Sequence, residues 1–346
     1  MKRYVSTCIS GLQTVVNDVF SRTLSAYRPL RVYDGLLIYE TSTDPVQLAK
    51  PGVVNNTYLL NGIFKDDLSG DINDSIRKNL SSLRIDTEFL RRSGVLKKQR
   101  SFKLFANDRN RPVRLDYTLT APLEKQIQSA LGLRLELRRP DAEFVFSRRS
   151  EGMLLFMTKL TYSRVTEKDL PQGALRPELC RLMAEIAEIG PSDIVLDPFC
   201  GHGSIPVQVM KHYRYNMIFS NDNDAQLVAA FKKEYGKNDR RLFIKCRDVL
   251  DPANFQDDFI DKIVTDPPWN IYQHSESDFA DFYARMLREF LRILKPGGTC
   301  TILMGNLPDF EAAMRQVPQL VLQARYPILV NGKKATVFRL GKEITT

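Results

Sequence analysis

The C-terminal half of the chain predicts an α/β fold: a mostly parallel, doubly wound sheet finished by an antiparallel hairpin, with a small α+β arrangement ahead of it. Three observations carry this. Strand-like runs recur at residues 194–196, 217–220, 242–245, 262–265 and 299–304. Helical patterns separate most of them. The clearest is the stripe Phe279, Phe282, Tyr283, Met286, Leu287, Phe290, Leu291, Leu294, which repeats at i, i+3, i+4 and i+7 and stops at Pro296-Gly297-Gly298. Strands alternating with helices need crossover connections, and crossovers make neighbouring strands parallel. Residues 321–330 and 334–340 instead flank Asn331-Gly332, a turn pair that favours a hairpin.

Taken in order, residues 2–9 predict a strand. Residues 11–24 predict a helix on the spacing of Leu12, Val15, Val16, Val19 and Phe20, and residues 36–39 a strand after the turn Asp34-Gly35. A helix is expected over 71–83, then strands at 103–106 and 113–117 around Asp108-Arg109-Asn110. Another helix follows over 121–131, ending at Gly132, with a last strand pair at 144–146 and 153–156. Residues 161–176 lack periodicity and contain Pro171 and Gly173, so they are expected to link two halves. Pro177 then opens a helix that stops before Gly190-Pro191. The expected domains are therefore 1–60, 61–160 and 177–346, the first two small and the third built on the parallel sheet.

The net charge of +9 is one-sided. Residues 1–160 carry 26 Lys and Arg against 17 Asp and Glu, whereas 161–346 carry 24 against 24. Within the first half, residues 84–149 hold 16 basic and 8 acidic side chains, including Arg91-Arg92, Lys97-Lys98, Arg138-Arg139 and Arg148-Arg149. A basic module beside a neutral one points to a polyanionic partner. Five scattered cysteines without CxxC spacing argue against a disulfide or zinc framework, and three histidines without an HExxH pattern argue against a catalytic metal. No apolar run approaches the roughly 20 residues that span a bilayer, so a cytoplasmic protein without a membrane partner is expected.

Two segments carry the chemistry. In Asp197-Pro198-Phe199-Cys200-Gly201-His202-Gly203-Ser204 a strand ends in a glycine-containing turn that feeds a helix. Gly201 and Gly203 let the backbone approach a ligand closely, and the helix start offers unpaired N–H groups. Asp197 repels a pyrophosphate and welcomes an ammonium group. Together with the absence of a full GxGxxG, this argues against a nicotinamide-dependent hydride-transfer enzyme. Asp222, with Asn223 beside it, ends the next strand 25 residues on, where a carboxylate accepts hydrogen bonds from both hydroxyls of a ribose. Asn221 and Asp224 remain alternatives as helix caps. Asp248, followed by Val249, ends the third strand, where it can accept from an adenine amino group or serve as a turn residue.

The second segment is Asp266-Pro267-Pro268-Trp269, followed by Asn270, at the end of a fourth strand. The lone pair of an exocyclic base amine is delocalised into the ring. The Asp266 carboxylate and the Pro267 carbonyl can each accept one N–H and localise that lone pair. The prolines fix the carbonyl's direction because their φ is locked, and Trp269 offers a stacking face for an extruded base.

These segments resemble the class I, S-adenosyl-L-methionine-dependent amino methyltransferases, whose [DNS]PP[YFW] motif follows the cofactor turn. The chain more narrowly resembles the THUMP-domain RNA guanine-N2 methyltransferases. Thr120 to Leu131, Gly132-Leu133, Arg139-Pro140-Asp141 and the run EFVF are similar to the latter part of a THUMP domain. Gly11-Leu12-Gln13 and Asp34-Gly35 are similar to the ferredoxin-like domain that precedes it, Leu175-Arg176-Pro177 to the LRP entry into the catalytic domain, and LVNGKKATVFRL to its closing hairpin. The resemblance implies a ferredoxin-like subdomain at 1–60, a THUMP RNA-binding domain at 61–160, and a Rossmann-like methyltransferase domain at 177–346. It implies S-adenosyl-L-methionine held by Asp197, Pro198, Phe199, Cys200, Gly201, Gly203, Ser204, Asp222, Asn223, Asp248 and Val249. It also implies methylation of guanine N2 in RNA, tRNA first, by Asp266, Pro267, Pro268 and Trp269, and it is compatible with a monomer. DPPW occurs in adenine-N6 methyltransferases too, so adenine stays open as the target base, as does a noncatalytic RNA-binding role.

Overall fold

The computed structural model describes residues 1–48, 50, 52–161, 170–269, 279–330 and 332–343. The chain divides into two compact units: Met1–Cys8 with Val16–Arg164, and Ile9–Val15 with Val165–Thr346. Most of the expected linker, residues 162–169, lies outside the described residues, as do Asn270 and Asn331.

The first unit is built on one sheet. Strands β1 (Lys2–Thr7), β2 (Arg28–Tyr33), β3 (Leu36–Thr41), β4 (Asn56–Lys65), β5 (Ser101–Asp108), β6 (Arg111–Val113), β8 (Ala142–Arg149) and β9 (Met153–Lys159) run in the order β2-β3-β1-β4-β9-β8-β5-β6, and the two-residue β7 (Arg134–Leu135) pairs with β5. The expected division at 60/61 falls inside β4, whose residues 56–59 pair with β1 and whose residues 58–65 pair with β9. Helix α1 (Gln13–Thr23) buries Val16, Val19 and Phe20, as the 3.6-residue period requires. Three further helices, α2 (Ile72–Asn79), α3 (Thr87–Ser93) and α4 (Tyr117–Leu131), start at Asp71, Asp86 and Asp116, each side chain accepting a backbone N–H of the first turn.

Arg148 departs from the expected surface role of the basic pairs. Its side chain is wholly buried. Nε donates to Asp66 Oδ1 at 3.1 Å, Nη1 to Gly70 O at 3.0 Å and Asp108 Oδ2 at 3.4 Å, and Nη2 to Ser69 O at 3.0 Å. A guanidinium satisfied on all sides by protein has no donor to offer a phosphate.

The second unit has the expected doubly wound architecture. Strands β10 (Ile194–Asp197), β11 (Met217–Asp222), β12 (Leu242–Cys246), β13 (Ile260–Thr265) and β14 (Leu294–Met304) are parallel, in the order β12-β11-β10-β13-β14. The hairpin strands β15 (Leu320–Val330) and β16 (Lys333–Lys342) complete the sheet antiparallel, with β16 against β14. Helices α5 (Pro177–Ala187), α6 (Ser204–His212), α7 (Ala225–Tyr235), α8 (Phe279–Ile293) and α9 (Leu307–Gln316) make the connections. Tyr283, Met286, Leu287, Phe290 and Ile293 of α8 pack with Ile263, Ile302, Phe310 and Phe338 in the core. Each such fully buried side chain contributes about 1.5–3 kcal/mol. Strand order reverses at β10, so a crevice opens at the carboxyl ends of β10, β11, β12 and β13. Among the described residues no helix is long and apolar enough to cross a membrane.

Candidate active site

Each of those four strands delivers an aspartate to the crevice, at or just past its carboxyl end: Asp197 after β10, Asp222 after β11, Asp248 after β12 and Asp266 after β13. Two adjoining cavities share Phe199 and Asp266 in their walls. The larger, about 580 Å³, is lined by Pro198, Phe199, Asp222, Asn223, Arg247, Asp248, Val249, Asp266, Pro268, Phe279 and Phe282. The smaller, about 100 Å³, lies against the glycine turn, where Asp197, Cys200, Gly201, His202 and Ser204 meet Gln172, Gly173 and Leu175.

Asp197 is buried. Its Oδ1 accepts the Thr265 hydroxyl at 2.8 Å and the Phe199 N–H at 3.2 Å. Burial pushes its carboxyl up to about 7, with the charge of Asp222 adding to the shift and the two hydrogen bonds opposing it. Asp222 braces the turn: Oδ2 accepts the Gly201 N–H at 2.8 Å and Oδ1 the Asp224 N–H at 3.0 Å. Each oxygen retains a second lone pair for a hydroxyl. Asp224 caps α7, accepting from Gln226 and Leu227 N–H. Asp248 Oδ1 accepts the Leu250 N–H at 2.9 Å, so it is a turn residue as well as a wall of the larger cavity.

The two glycines differ. Both have left-handed φ, +48° at Gly201 and +80° at Gly203. A Cβ on Gly203 would lie 2.2 Å from the Phe231 ring, whereas one on Gly201 would meet nothing within 4 Å. Gly203 therefore serves helix packing, and Gly201 leaves open space beside the smaller cavity.

At the other end, Asp266 Oδ1 accepts the Trp269 indole N–H at 2.7 Å, and Pro268 O accepts the Tyr283 hydroxyl at 2.7 Å. Burial pushes the Asp266 carboxyl up to about 8. Trp269 opposes the shift and Asp197 adds to it. Trp269 does not line either cavity; its ring lies against the backbone of Gly305, where a Cβ would sit 2.2 Å from Cε3. Pro267 is buried and, like Gly203, outside the cavity walls. The remaining expected site residues line one cavity or both. Phe279 and Phe282 belong to the site although their helical spacing marks them as core. Arg247 and Gln172 carry no motif that would have singled them out, and Gly173 and Leu175 were marked only as parts of the linker and of the entry into the second half. Among the described residues no cluster of His, Cys, Asp and Glu is placed to hold a metal ion.

The glycine turn at a strand-to-helix junction, a carboxylate on each of the next two strands and an apolar wall of Phe199 and Val249 fit a cationic amino-acid nucleoside. Fold and site together define a class I, S-adenosyl-L-methionine-dependent methyltransferase. Residues 164–327 match UPF0020, the RMKL-like methyltransferase domain.

The chain is similar to the tRNA (guanine(10)-N2)-dimethyltransferase of Methanothermobacter thermautotrophicus, at 25% identity over 66% of this chain and 69% of that protein. It is 25% identical over 52% of its length to the U6 snRNA (guanine-N(2))-methyltransferase THUMPD2 of Bos taurus, but that alignment takes in 35% of the bovine protein. In fold it resembles the crystal structure of TrmN from Thermus thermophilus, with a TM-score of 0.76 at 18% identity over 99% of this chain and 100% of that one.

Proposed function

We propose that the protein methylates the exocyclic N2 of guanosine in RNA, with tRNA the first substrate to test. The observation that carries this reading is the half-buried Asp266 carboxylate at the junction of the two cavities, one oxygen already engaged by Trp269 and the chain fixed behind it by Pro267, Pro268 and Tyr283. Relatives named for guanine-N2 methylation support guanine over adenine.

In this reading Asp197 meets the cofactor's ammonium group, Asp222 its ribose, and Asp248 its adenine amine, while Phe199 and Val249 pack on the nucleoside. Pro198, Cys200, Gly201, Gly203, Ser204 and Asn223 shape the turns that hold it. When bound, S-adenosyl-L-methionine supplies an electrophilic methyl group on a sulfonium. Held by these residues, it would donate that methyl to the amine of a bound guanine, which would give up a proton in exchange. Asp266 and the Pro267 carbonyl orient the two N–H bonds so that the lone pair faces the methyl. Alignment of this kind can be worth roughly 7–11 kcal/mol of barrier. The cation nearby favours the ionised form of Asp266.

Residues 1–60 as a ferredoxin-like subdomain and 61–160 as a THUMP domain would hold RNA through phosphates and shape. Arg91, Arg92, Lys97, Lys98, Arg134, Arg138 and Arg139, all exposed, support that role. Five free cysteines support a reducing, cytoplasmic setting, and one chain supplies every site residue, which is consistent with a monomer. The test is to incubate the protein with labelled S-adenosyl-L-methionine and total RNA, digest the RNA to nucleosides and weigh the labelled one. N2-methylguanosine is expected; N6-methyladenosine or no transfer would overturn the proposal.

A further inference from the structure

Trp269 occupies a place that a phenylalanine or tyrosine ring would not use in the same way. The indole N–H is a donor with no acceptor function, and it points at Asp266 Oδ1 from 2.7 Å. A carboxylate held at one oxygen has little freedom to turn about its own axis. The ring is itself held: Gly305, at the end of β14, presents bare backbone where a Cβ would stand 2.2 Å from Cε3 and 2.6 Å from Cδ2. Tyr283 holds the chain between the two residues through Pro268 O. The indole also packs against the core formed by β13, β14 and α8.

We propose that Trp269 is a positioning residue: seated on Gly305, its indole N–H ties down Oδ1 of Asp266, so that Oδ2 alone is presented to the incoming amine in a fixed direction. This rests on the methyl-transfer role given to Asp266 above and adds to it the means by which that carboxylate is aimed and drawn toward its charged form. An N–H donated to a carboxylate favours the charged form, and burial opposes it here. Among the described residues, the groups facing Asp266 from the surrounding elements are Asp197 of β10, with Asp222 of β11 beyond it, Cys180 of α5, and Tyr283 of α8 with Asp309 of α9 behind it; Arg247 stands elsewhere on the wall of the larger cavity. Asp197 disfavours the ionised form, and Trp269 is the donor that offsets it.

Trp269 is the single tryptophan of the chain, which makes the test direct. In ligand-free full-length protein, the one indole ¹H–¹⁵N resonance is expected to move with pH between 6 and 9.5 and to stay still over that range in Asp266→Asn. Gly305→Ala, which unseats the ring, should shrink the movement. In a second measurement, Trp269→Phe keeps an aromatic ring and removes the donor. With a pool of unmodified tRNA transcripts as substrate, its acidic limb of kcat should shift upward by about one pH unit, with activity largely recovered at pH 9 and the Kd for S-adenosyl-L-methionine unchanged within threefold. A resonance indifferent to pH or to Asp266→Asn, or a Trp269→Phe loss equal at every pH, would overturn the proposal. The resonance needs no RNA, so it stands or falls separately from the methyl-transfer reading.

Discussion

The hydroxyl of Thr265 donates to Oδ1 of Asp197 at 2.8 Å, joining the last residue of β13 to the last residue of β10. One bond thus spans the switch point of the sheet, with the cofactor turn on one side and Asp266 on the other. Thr265→Val keeps the shape and removes the donor, leaving a buried carboxylate one partner short at a cost of about 1–3 kcal/mol. Thermal unfolding should register that loss, and calorimetry a weaker S-adenosyl-L-methionine complex; an unchanged Kd would detach Asp197 from cofactor binding.

Asp266→Ala should lower turnover by at least about 100-fold, the scale seen when a group that acts on the reacting atoms is deleted. The Kd for cofactor should change little, because in the proposed reading Asp197, Asp222 and Asp248 hold the cofactor and Asp266 meets the amine. Activity near that of the unaltered protein would remove Asp266 from the mechanism.

The folded-state carboxyls of Asp197 and Asp266 lie near 7 and 8, above the ordinary 3.8. The folded protein therefore holds protons that the unfolded chain has released. This contribution to stability is complete at low pH and is lost as pH rises through about 7 to 8. Ligand-free protein should lose Tm between pH 5.5 and 8.5, and Asp266→Asn should flatten the slope. Denaturation followed by circular dichroism across that window decides it; a rising Tm would contradict the burial of these groups.

Gly201→Ala and Gly203→Ala should part company. Both add a side chain at left-handed φ, costing about 1–2 kcal/mol. Gly203→Ala also drives a methyl into Phe231 and should lower Tm further, whereas Gly201→Ala should keep the fold and lose cofactor affinity. Paired melting and binding curves separate the two effects.

Arg148→Met should destabilise the first unit by about 3–5 kcal/mol, the cost of leaving the buried Asp66 carboxylate without its guanidinium partner. Cofactor affinity should not follow. Unfolding monitored with and without S-adenosyl-L-methionine measures both.

Where hydrophobic spacing was strong, the fold was legible. The α8 stripe and the apolar runs ending in Asp197, Asp222 and Asp266 lie where their periodicity places them. Strand β2 carries no such signal, because at the sheet edge its residues Arg28–Val32 are exposed and Pro29 interrupts the pattern. β4 was hidden by Asn61 and Gly62, and α3 by its seven-residue length. Helix α4 starts at Tyr117, four residues before the expected start and inside the strand expected over 113–117, because the Asp116 cap outweighs Pro122 in the second turn. In the site, the turn and strand-end residues were visible because their chemistry is local. The bond from Trp269 to Asp266 goes with a seat at Gly305, 36 positions along the chain, and Phe279 and Phe282 line the cavity from the start of α8, which begins ten positions after Trp269. Such relations arise from packing between elements, which no local pattern records.

One strand, β4, is shared by β1 on one side and β9 on the other, and this constrains how the chain can be shortened. A fragment beginning after residue 60 would keep half of β4 and bare part of β9, whose side chains from Met153 to Thr158 are all buried. Such an apolar open edge recruits further chains by strand addition. Expression trials of the first unit should therefore start at residue 1, since later starts are expected to yield intermolecular sheet and inclusion bodies in place of dispersed protein.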